Sequence, residues 1–297
     1  AARALQALGA ATLMAVPRAV IRDMASGPEA ARMMAAIMIV ISVSPMLAPL
    51  TGSIVMTFGG WREIFGVLAL ASLVSLALIT FVLPETLAPE GRRPVRLRIM
   101  AAGAKRLLSD RSFMGLTMIG GFGMASFFVF LATGSFVYTR EFGLTPTGFS
   151  IAFAINAVGF FGASQLAGRL SARHGMARVI TVAISGFAVT TVLLAALAWA
   201  GITSLPLTVA GLFVANAFLG LVLPTTMAMA MDPHPDIAGL AASLGGTIQM
   251  LTGGVMIALT SIFLDNSAAS MLGVIAVCGV LAFLAAATAL SGRRAMA

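Results

Sequence analysis

A few polar side chains interrupt or border the long apolar runs of this sequence: Asn156, Asn216 and Gln249 stand inside them, and Arg3 stands at the start of the first. A charge at the centre of a bilayer costs about 2.5 to 3.5 kcal/mol on insertion scales, so Arg3 is a functional candidate by default. The alternative is that Arg3 reaches the membrane surface from a helix end. The three amides are candidates for lining a substrate pathway, although ordinary hydrogen bonds between helices explain them as well.

Sequence signatures of common enzymes do not occur in this chain. There is no GxxxxGK[ST] nucleotide-binding run, no GxSxG sequence and no HExxH sequence. Cys278 is the only cysteine, so no internal disulfide, zinc cluster or CxxC redox site can form. His174 and His234 fall between apolar runs, where neither is an intramembrane metal ligand. We therefore expect no enzyme, no metal and no cofactor.

The composition indicates that the elements carrying these polar residues are those of a membrane protein. The 297 residues are 60% hydrophobic and 9% charged, with a mean hydropathy of +1.04. Soluble proteins are about 45–50% apolar and about 25% charged, so a soluble fold could not bury this much apolar surface. The net charge of +8 does not indicate nucleic acid binding, because the basic residues lie in short gaps between apolar runs.

Nine apolar runs are long enough to cross a bilayer as helices, since about 30 Å of hydrocarbon requires about 20 residues. They lie near residues 4–21, 31–57, 64–83, 113–137, 149–168, 178–199, 206–230, 238–263 and 271–291. Short connectors rich in glycine, proline and polar residues separate most of them. The sequence therefore predicts an all-α polytopic membrane protein in contact with the lipid bilayer.

Basic residues predict how the helices are oriented, because Lys and Arg accumulate in cytoplasmic loops. With the first connector placed inside, only Arg3, Arg62 and Arg140 of the 18 Lys and Arg residues fall on the outer face. This bias predicts that the chain begins outside and that its C-terminus lies in the cytoplasm. We expect a multi-pass protein of the plasma (inner) membrane.

The longest connector, residues 84–112, follows the third predicted span and precedes six more. Many transporters consist of two six-helix halves, each built from two three-helix repeats. In such an arrangement residues 1–83 form the second half of an N-terminal six-helix bundle. Residues 84–112 form a basic cytoplasmic linker, and residues 113–297 form a C-terminal six-helix bundle. We thus expect nine helices of twelve, with three helices missing from the front.

The first predicted helix contains the sequence RALQALGAA at residues 3–11. It resembles the R-x-x-Q-G-x-G signature on the fourth helix of the major facilitator superfamily, with Arg3, Gln6 and Gly9 at matching positions. Ala7 stands where the signature has its first glycine. This match places the start of the chain at the fourth helix of the superfamily.

The second predicted helix contains SPMLAPLTG at residues 44–52, which is similar to the antiporter signature on helix five of the same superfamily. Its characteristic residues are Pro45, Pro49 and Gly52, which let a helix bend and pack closely, although such residues are common in membrane helices. With the flanking motifs at residues 60–62 and 84–87, the pattern resembles the Bcr/CflA-like drug:proton antiporters.

The sequence departs from the superfamily pattern in one loop of the second half. Residues 168–175, GRLSARHG, are similar to its G-x-L-x-D-R-x-G loop, but Ala172 occupies the acidic position. A gating contact that requires this carboxylate is therefore not expected here.

The resemblance implies proton-coupled export of small amphipathic compounds by alternating access between two bundles. We expect the protein to be a monomer. The resemblance implies that Arg3 takes part in proton coupling, linked electrostatically to an acidic residue of the family's first helix. It also implies that residues 45–52 control leak or closure, and that Asn156, Asn216 and Gln249 lie in the substrate-bearing half. Two alternatives remain: a metabolite transporter of the same fold, and an inactive truncated membrane fragment.

Overall fold

The computed structural model describes residues 51–85, 97–263 and 267–294, with scattered positions before residue 51. The chain divides into two compact units, Ala1–Val95 and Arg96–Ala297. In the first unit residues 51–58 are helical, and helix α1 spans Trp61–Phe81. None of the residues of α1 is buried.

The second unit contains one short helix and six long helices. They are α2 (Leu97–Ser109), α3 (Arg111–Arg140), α4 (Pro146–His174), α5 (Met176–Trp199), α6 (Leu205–Met231), α7 (Ala238–Phe263) and α8 (Ala268–Arg294). A single 3-10 turn, Pro235–Ile237, precedes α7.

Seven helices in the described part of the chain are long and apolar enough to cross a membrane, namely α1 and α3 to α8. They correspond to the third to ninth predicted spans. Most extend past the predicted ends, because polar and basic residues such as Arg169 and Arg173 continue the helix beyond its apolar stretch. The first two predicted spans lie mostly outside the described residues, so the total of nine helices stays a prediction.

Local sequence signals fix where several of these helices begin. Asp110 caps α3, since its Oδ1 atom accepts hydrogen bonds from the amides of Ser112 (2.7 Å) and Phe113 (3.3 Å). Thr145 caps α4 in the same manner, immediately before a proline in the first helical position. Gly175 has a φ of +81°, a conformation that favours glycine, and it joins α4 directly to α5.

The six long helices of the second unit pack in a few extensive pairs. Helix α4 packs on α6, α3 packs on α7 and α8, and α5 packs on α6 and α8. Their apolar side chains form two buried clusters, which include Phe113, Leu116, Phe187 and Leu219 in one and residues such as Tyr138 and Met271 in the other.

At the end of the unit away from Asp110, two contacts reach the start of α8. The carboxylate of Glu141 accepts a hydrogen bond from the amide of Ala268 at 2.6 Å, at the positive end of the helix dipole. The indole Nε1 of Trp199, the last residue of α5, donates to the carbonyl oxygen of Ala269 at 3.2 Å.

Candidate functional site

Two of the amides singled out from the sequence meet between α4 and α6. Asn216 Nδ2 lies 3.5 Å from Asn156 Oδ1, and Asn156 Nδ2 donates to the carbonyl oxygen of Ala152 at 2.9 Å. Asn156 is 2% exposed and Asn216 is 8% exposed. A polar group buried without a partner is costly, and this contact gives a partner to the Oδ1 atom of Asn156 and the Nδ2 atom of Asn216.

Glycines that follow the two asparagines bring the helices into close contact next to this amide pair. A Cβ atom on Gly159, three residues after Asn156, would stand 2.9 Å from the carbonyl oxygen of Phe213. A Cβ atom on Gly220, four residues after Asn216, would overlap the carbonyl oxygen of Phe160. The Asn156–Asn216 contact therefore lies where the backbones of α4 and α6 nearly touch, and it fixes their register.

Helix α6 contains an internal proline about two turns after Asn216. Pro224 stands inside the helix, and proline has no N–H to bond to the carbonyl oxygen of Gly220. The hydroxyls of Thr225 and Thr226 donate to the carbonyl oxygens of Leu221 (2.7 Å) and Val222 (2.9 Å). Neither of these bonds replaces the one lost at Gly220, so this turn of α6 is where the helix bends most easily.

Gln249, the third amide, lies on α7 against α3. A Cβ atom on Gly120 would overlap Gln249 Nε2 and would stand 3.6 Å from Thr226 Oγ1. Thr226 follows Asn216 by ten residues, which is about 15 Å along a helix. The structure thus brings Asn156 and Asn216 together and places Gln249 at a different depth.

A buried hydroxyl that sequence reasoning missed lies on the same face of α3. Thr117 is 2% exposed, and its Oγ1 atom has no hydrogen-bond partner among the described residues. It faces α7, because a Cβ atom on Gly245 would stand 3.7 Å from it. No sequence signal distinguishes it, since threonines in apolar helices usually bond to their own backbone. That the three amides line a pathway stays a prediction.

The remaining candidates belong to the first unit. Arg3, Pro45 and Pro49 lie outside the described residues. Gln6 is helical and exposed, as is Gly9, and Gly52 is helical and half-buried. The roles that the resemblance implies for these six residues stay predictions.

A second polar cluster lies at the start of α3, and the sequence did not predict it. His234, in the turn after α6, is 5% exposed, and its Nε2 atom lies 2.8 Å from Asp110 Oδ2. Its ring meets that of Phe113 edge to face, with centroids 6.2 Å apart. An ionised carboxylate only accepts hydrogen bonds, so Nε2 is the donor. Asp110 therefore caps α3 with one oxygen and holds the α6–α7 turn with the other.

The pKa of Asp110 reflects these contacts. Partial burial acts to raise it, but the hydrogen bond from His234 and the amides of Phe113 and Ser112 hold it below its ordinary value. The Nδ1 atom of His234 is buried and has no partner within the described part of the chain.

The predicted linker contains a helix that the search for long apolar runs did not detect. This helix, α2, packs on α3 and α7 through Leu107, which is fully buried, and through Gly103, where a Cβ atom would stand 2.7 Å from Leu240. Its Arg106 forms an exposed ion pair with Asp236 at 2.7 Å. Helix α2 is thus attached to the same turn that His234 occupies.

Comparison with known proteins identifies relatives along almost the whole chain. The sequence model of the Major Facilitator Superfamily matches residues 1–256 and, in a second match, residues 123–295. An uncharacterized MFS-type transporter, YdgK of Bacillus subtilis, is 32% identical over 95% of this chain and 71% of its own length. The bicyclomycin resistance protein homolog of Haemophilus influenzae is 30% identical over 96% and 71%, respectively. Multidrug resistance protein D of Escherichia coli is 28% identical over 91% and 67%.

Proposed function

Because this chain belongs to the major facilitator superfamily, and so is a multi-pass membrane transporter, we propose that it exports small amphipathic compounds in exchange for protons. The observation that carries the proposal is its similarity, over more than nine tenths of the chain, to relatives named for bicyclomycin resistance and multidrug resistance. The resemblance of residues 44–52 to the antiporter signature supports the same direction of transport. A transporter of this kind is not an enzyme and releases its substrate chemically unchanged.

The substrate pathway in this proposal passes the contact between α3 and α7. Gln249 supplies an amide that is not fully buried, and Thr117 supplies a buried hydroxyl without a partner among the described residues. A mostly apolar wall with a small number of polar groups suits varied amphipathic compounds. Asn156 and Asn216 complete the set of polar positions, acting through the register of α4 and α6.

Alternating access requires helices that change their mutual arrangement without losing their packing. The backbone of helix α6 is in close contact with α4 at Gly220. Four residues later Pro224 removes one backbone hydrogen bond, so the part of α6 after Pro224 can move relative to the part that contacts α4. We assign the bending that accompanies transport to this turn. Residues 45–52 are assigned control of leak, and Arg3 is assigned proton coupling through a partner carboxylate.

The proposed setting is the plasma (inner) membrane, with a monomer in the bilayer and with the linker and the C-terminus in the cytoplasm. The excess of Lys and Arg on one side of the predicted spans supports this orientation. Protons and small amphipathic compounds are the proposed partners.

A dye-efflux assay in inverted membrane vesicles tests the proposal, with and without a protonophore. Dye accumulation that the protonophore abolishes is the expected result. Transport that survives the protonophore would overturn proton coupling. Transport of a metabolite but of no dye or drug would favour the alternative of a metabolite transporter. Correct membrane insertion without any transport is what the inactive-fragment alternative predicts.

Substitution of Arg3 by Lys tests the coupling residue. Lys keeps the positive charge but loses the planar fork that binds a carboxylate through two hydrogen bonds. We expect proton-driven export to fall by about tenfold or more, because a charge-assisted bond contributes about 1.5 to 3 kcal/mol. Arg62→Lys, on the same predicted face, is the matched control and should export normally. Equal activity of both variants would favour the interfacial role for Arg3.

A further inference from the structure

The loop between α4 and α5 lies in a stretch of chain with positive side chains and no negative ones. Residues 142–231 contain Arg169, Arg173, His174 and Arg178 but no Asp or Glu. All four basic residues are exposed. Among the described residues, none of the three arginines forms an ion pair. The position where the superfamily loop carries an acid is Ala172, so the loop lacks an internal counterion.

An apolar groove begins at two of these basic residues. Its volume is about 240 Å³, and His174 and Arg178 stand in its lining beside Val182, which is 61% exposed. The remaining wall is apolar, with Leu170 from α4 and Phe218 and Leu221 from α6 among its residues. Three membrane-spanning helices therefore build a groove that is charged at its membrane-surface end and apolar along its length.

The start of α5 adds a third feature that favours an anion. Its N-cap residue is Gly175, which has no side chain to accept a hydrogen bond, and no acidic residue stands in its first turn. The first amides of a helix point outward and carry partial positive charge, so they attract phosphate groups. Arg178 lies in this turn and faces the groove.

We propose that this groove binds an anionic phospholipid, with the phosphate at Arg178, His174 and the first amides of α5 and with an acyl chain along Val182 and Phe218. Basic pockets between helices at the membrane surface suit anionic headgroups, and a zwitterionic headgroup has no net charge to offer them. A soluble anion would match the arginines but not the apolar wall. The proposal does not depend on which compound the protein transports.

Native mass spectrometry of the purified protein tests it, with phosphatidylglycerol and phosphatidylcholine of identical acyl chains as probes. We expect phosphatidylglycerol to be retained at least about fivefold better, the change that one basic residue makes near an anionic surface. Glycerol phosphate at the same concentration should not displace it, because it lacks the chain that fills the groove. Displacement by glycerol phosphate, or equal retention of both lipids, would overturn the proposal.

Variants locate the site. Arg178→Gln should reduce phosphatidylglycerol retention about fivefold, Arg178→Lys should retain most of it, and Val182→Trp should reduce it by filling the groove without changing charge. Arg140→Gln removes an exposed charge at the other end of the unit and is the matched control, which should bind normally. Monodispersity in gel filtration checks that each variant folds. Equal binding by wild type, Arg178→Gln and Val182→Trp would place the lipid elsewhere and overturn the proposal.

Discussion

The side chain of Asp110 joins two parts of the second unit that lie 124 positions apart in the chain. One oxygen caps α3, and the other accepts a hydrogen bond from His234 at 2.8 Å in the turn between α6 and α7. Arg106 of α2 pairs with Asp236 in the segment that follows. The first of these contacts is largely buried and the second is exposed, so they differ in what they contribute to stability.

Asp110→Ala should lower the stability of the protein far more than Asp236→Ala. Loss of the cap costs about 1 kcal/mol, and a buried imidazole left without its acceptor costs about 1 to 3 kcal/mol more. The exposed ion pair of Asp236 is screened by water and salt, so its removal should have little effect. Thermal melting of the purified variants in detergent measures both. Equal decreases in Tm would show that the buried contact of Asp110 contributes no more to stability than the exposed ion pair of Asp236.

The same carboxylate predicts a response to acid. Because the folded-state pKa of Asp110 lies below its ordinary value of 3.8, its stabilising contribution is complete above that pH and disappears as pH falls through the folded-state pKa. The Tm of the wild type should therefore decrease more steeply below about pH 4 than the Tm of Asp110→Asn. Parallel pH profiles of the two proteins would contradict this assignment.

Gly159→Ala should destabilise the contact between α4 and α6, because its new Cβ atom would stand 2.9 Å from a backbone oxygen of the partner helix. Forcing an extra methyl group into a packed interface costs about 1 to 3 kcal/mol. Gly162→Ala, three residues along the same helix, is the control, since no described atom lies within 4 Å of its Cβ position. The control should be neutral or slightly stabilising because alanine favours helix. A larger decrease in Tm for Gly162→Ala would contradict the close contact at Gly159.

A double-mutant cycle of Asn156→Leu and Asn216→Leu measures the coupling between the two amides. Each single variant strands a buried polar group, at a cost of about 1 to 3 kcal/mol, whereas the double variant strands neither. The double variant should thus lose less stability than the sum of the two single losses. Strict additivity in Tm or in the free energy of unfolding would show that the 3.5 Å contact does not hold in solution.

Gln249→Leu should reduce export more than it reduces the amount of folded protein in the membrane, since this amide is not fully buried and is placed in the proposed pathway. Asn216→Leu is the informative comparison, because Asn216 is paired and almost fully buried. Export and protein level should fall together for Asn216→Leu. If they also fall together for Gln249→Leu, packing explains Gln249 and the pathway assignment is wrong.

The long helices of the second unit could be predicted from the sequence because membrane spans are continuous apolar runs, whose length is set by bilayer thickness. Helix α2 could not be found in that way, since it has 13 residues and its apolar side chains alternate with Arg98, Lys105 and Arg106. The sequence signal that could have revealed α2 is the three-residue spacing of Ala104 and Leu107, which is typical of one face of a helix. Asp110 stands directly before α3, so its role as the N-cap of that helix could also have been predicted from the sequence.

Contacts between side chains on different helices could not be predicted from the sequence in the same way. Asn156 and Asn216 were recognised as unusual because an amide is rare in an apolar run, but their contact depends on how α4 and α6 cross. The close approach at Gly159 and Gly220 decides that crossing. His234 was assigned to a loop, where it does lie, and it is buried against Asp110 and Phe113 at the start of α3. Spacing along one helix cannot report contacts between residues on different elements, which here lie 60 positions apart (Asn156 and Asn216) or 124 positions apart (Asp110 and His234).

Trp199, whose indole joins α5 to the start of α8, also provides an optical reporter. The chain has two tryptophans, Trp61 in the first unit and Trp199 in the second. In a Trp61→Phe variant, all indole fluorescence originates at the hydrogen bond to Ala269. Emission from this single fluorophore then follows the opening of the α5–α8 junction in real time, without any added dye.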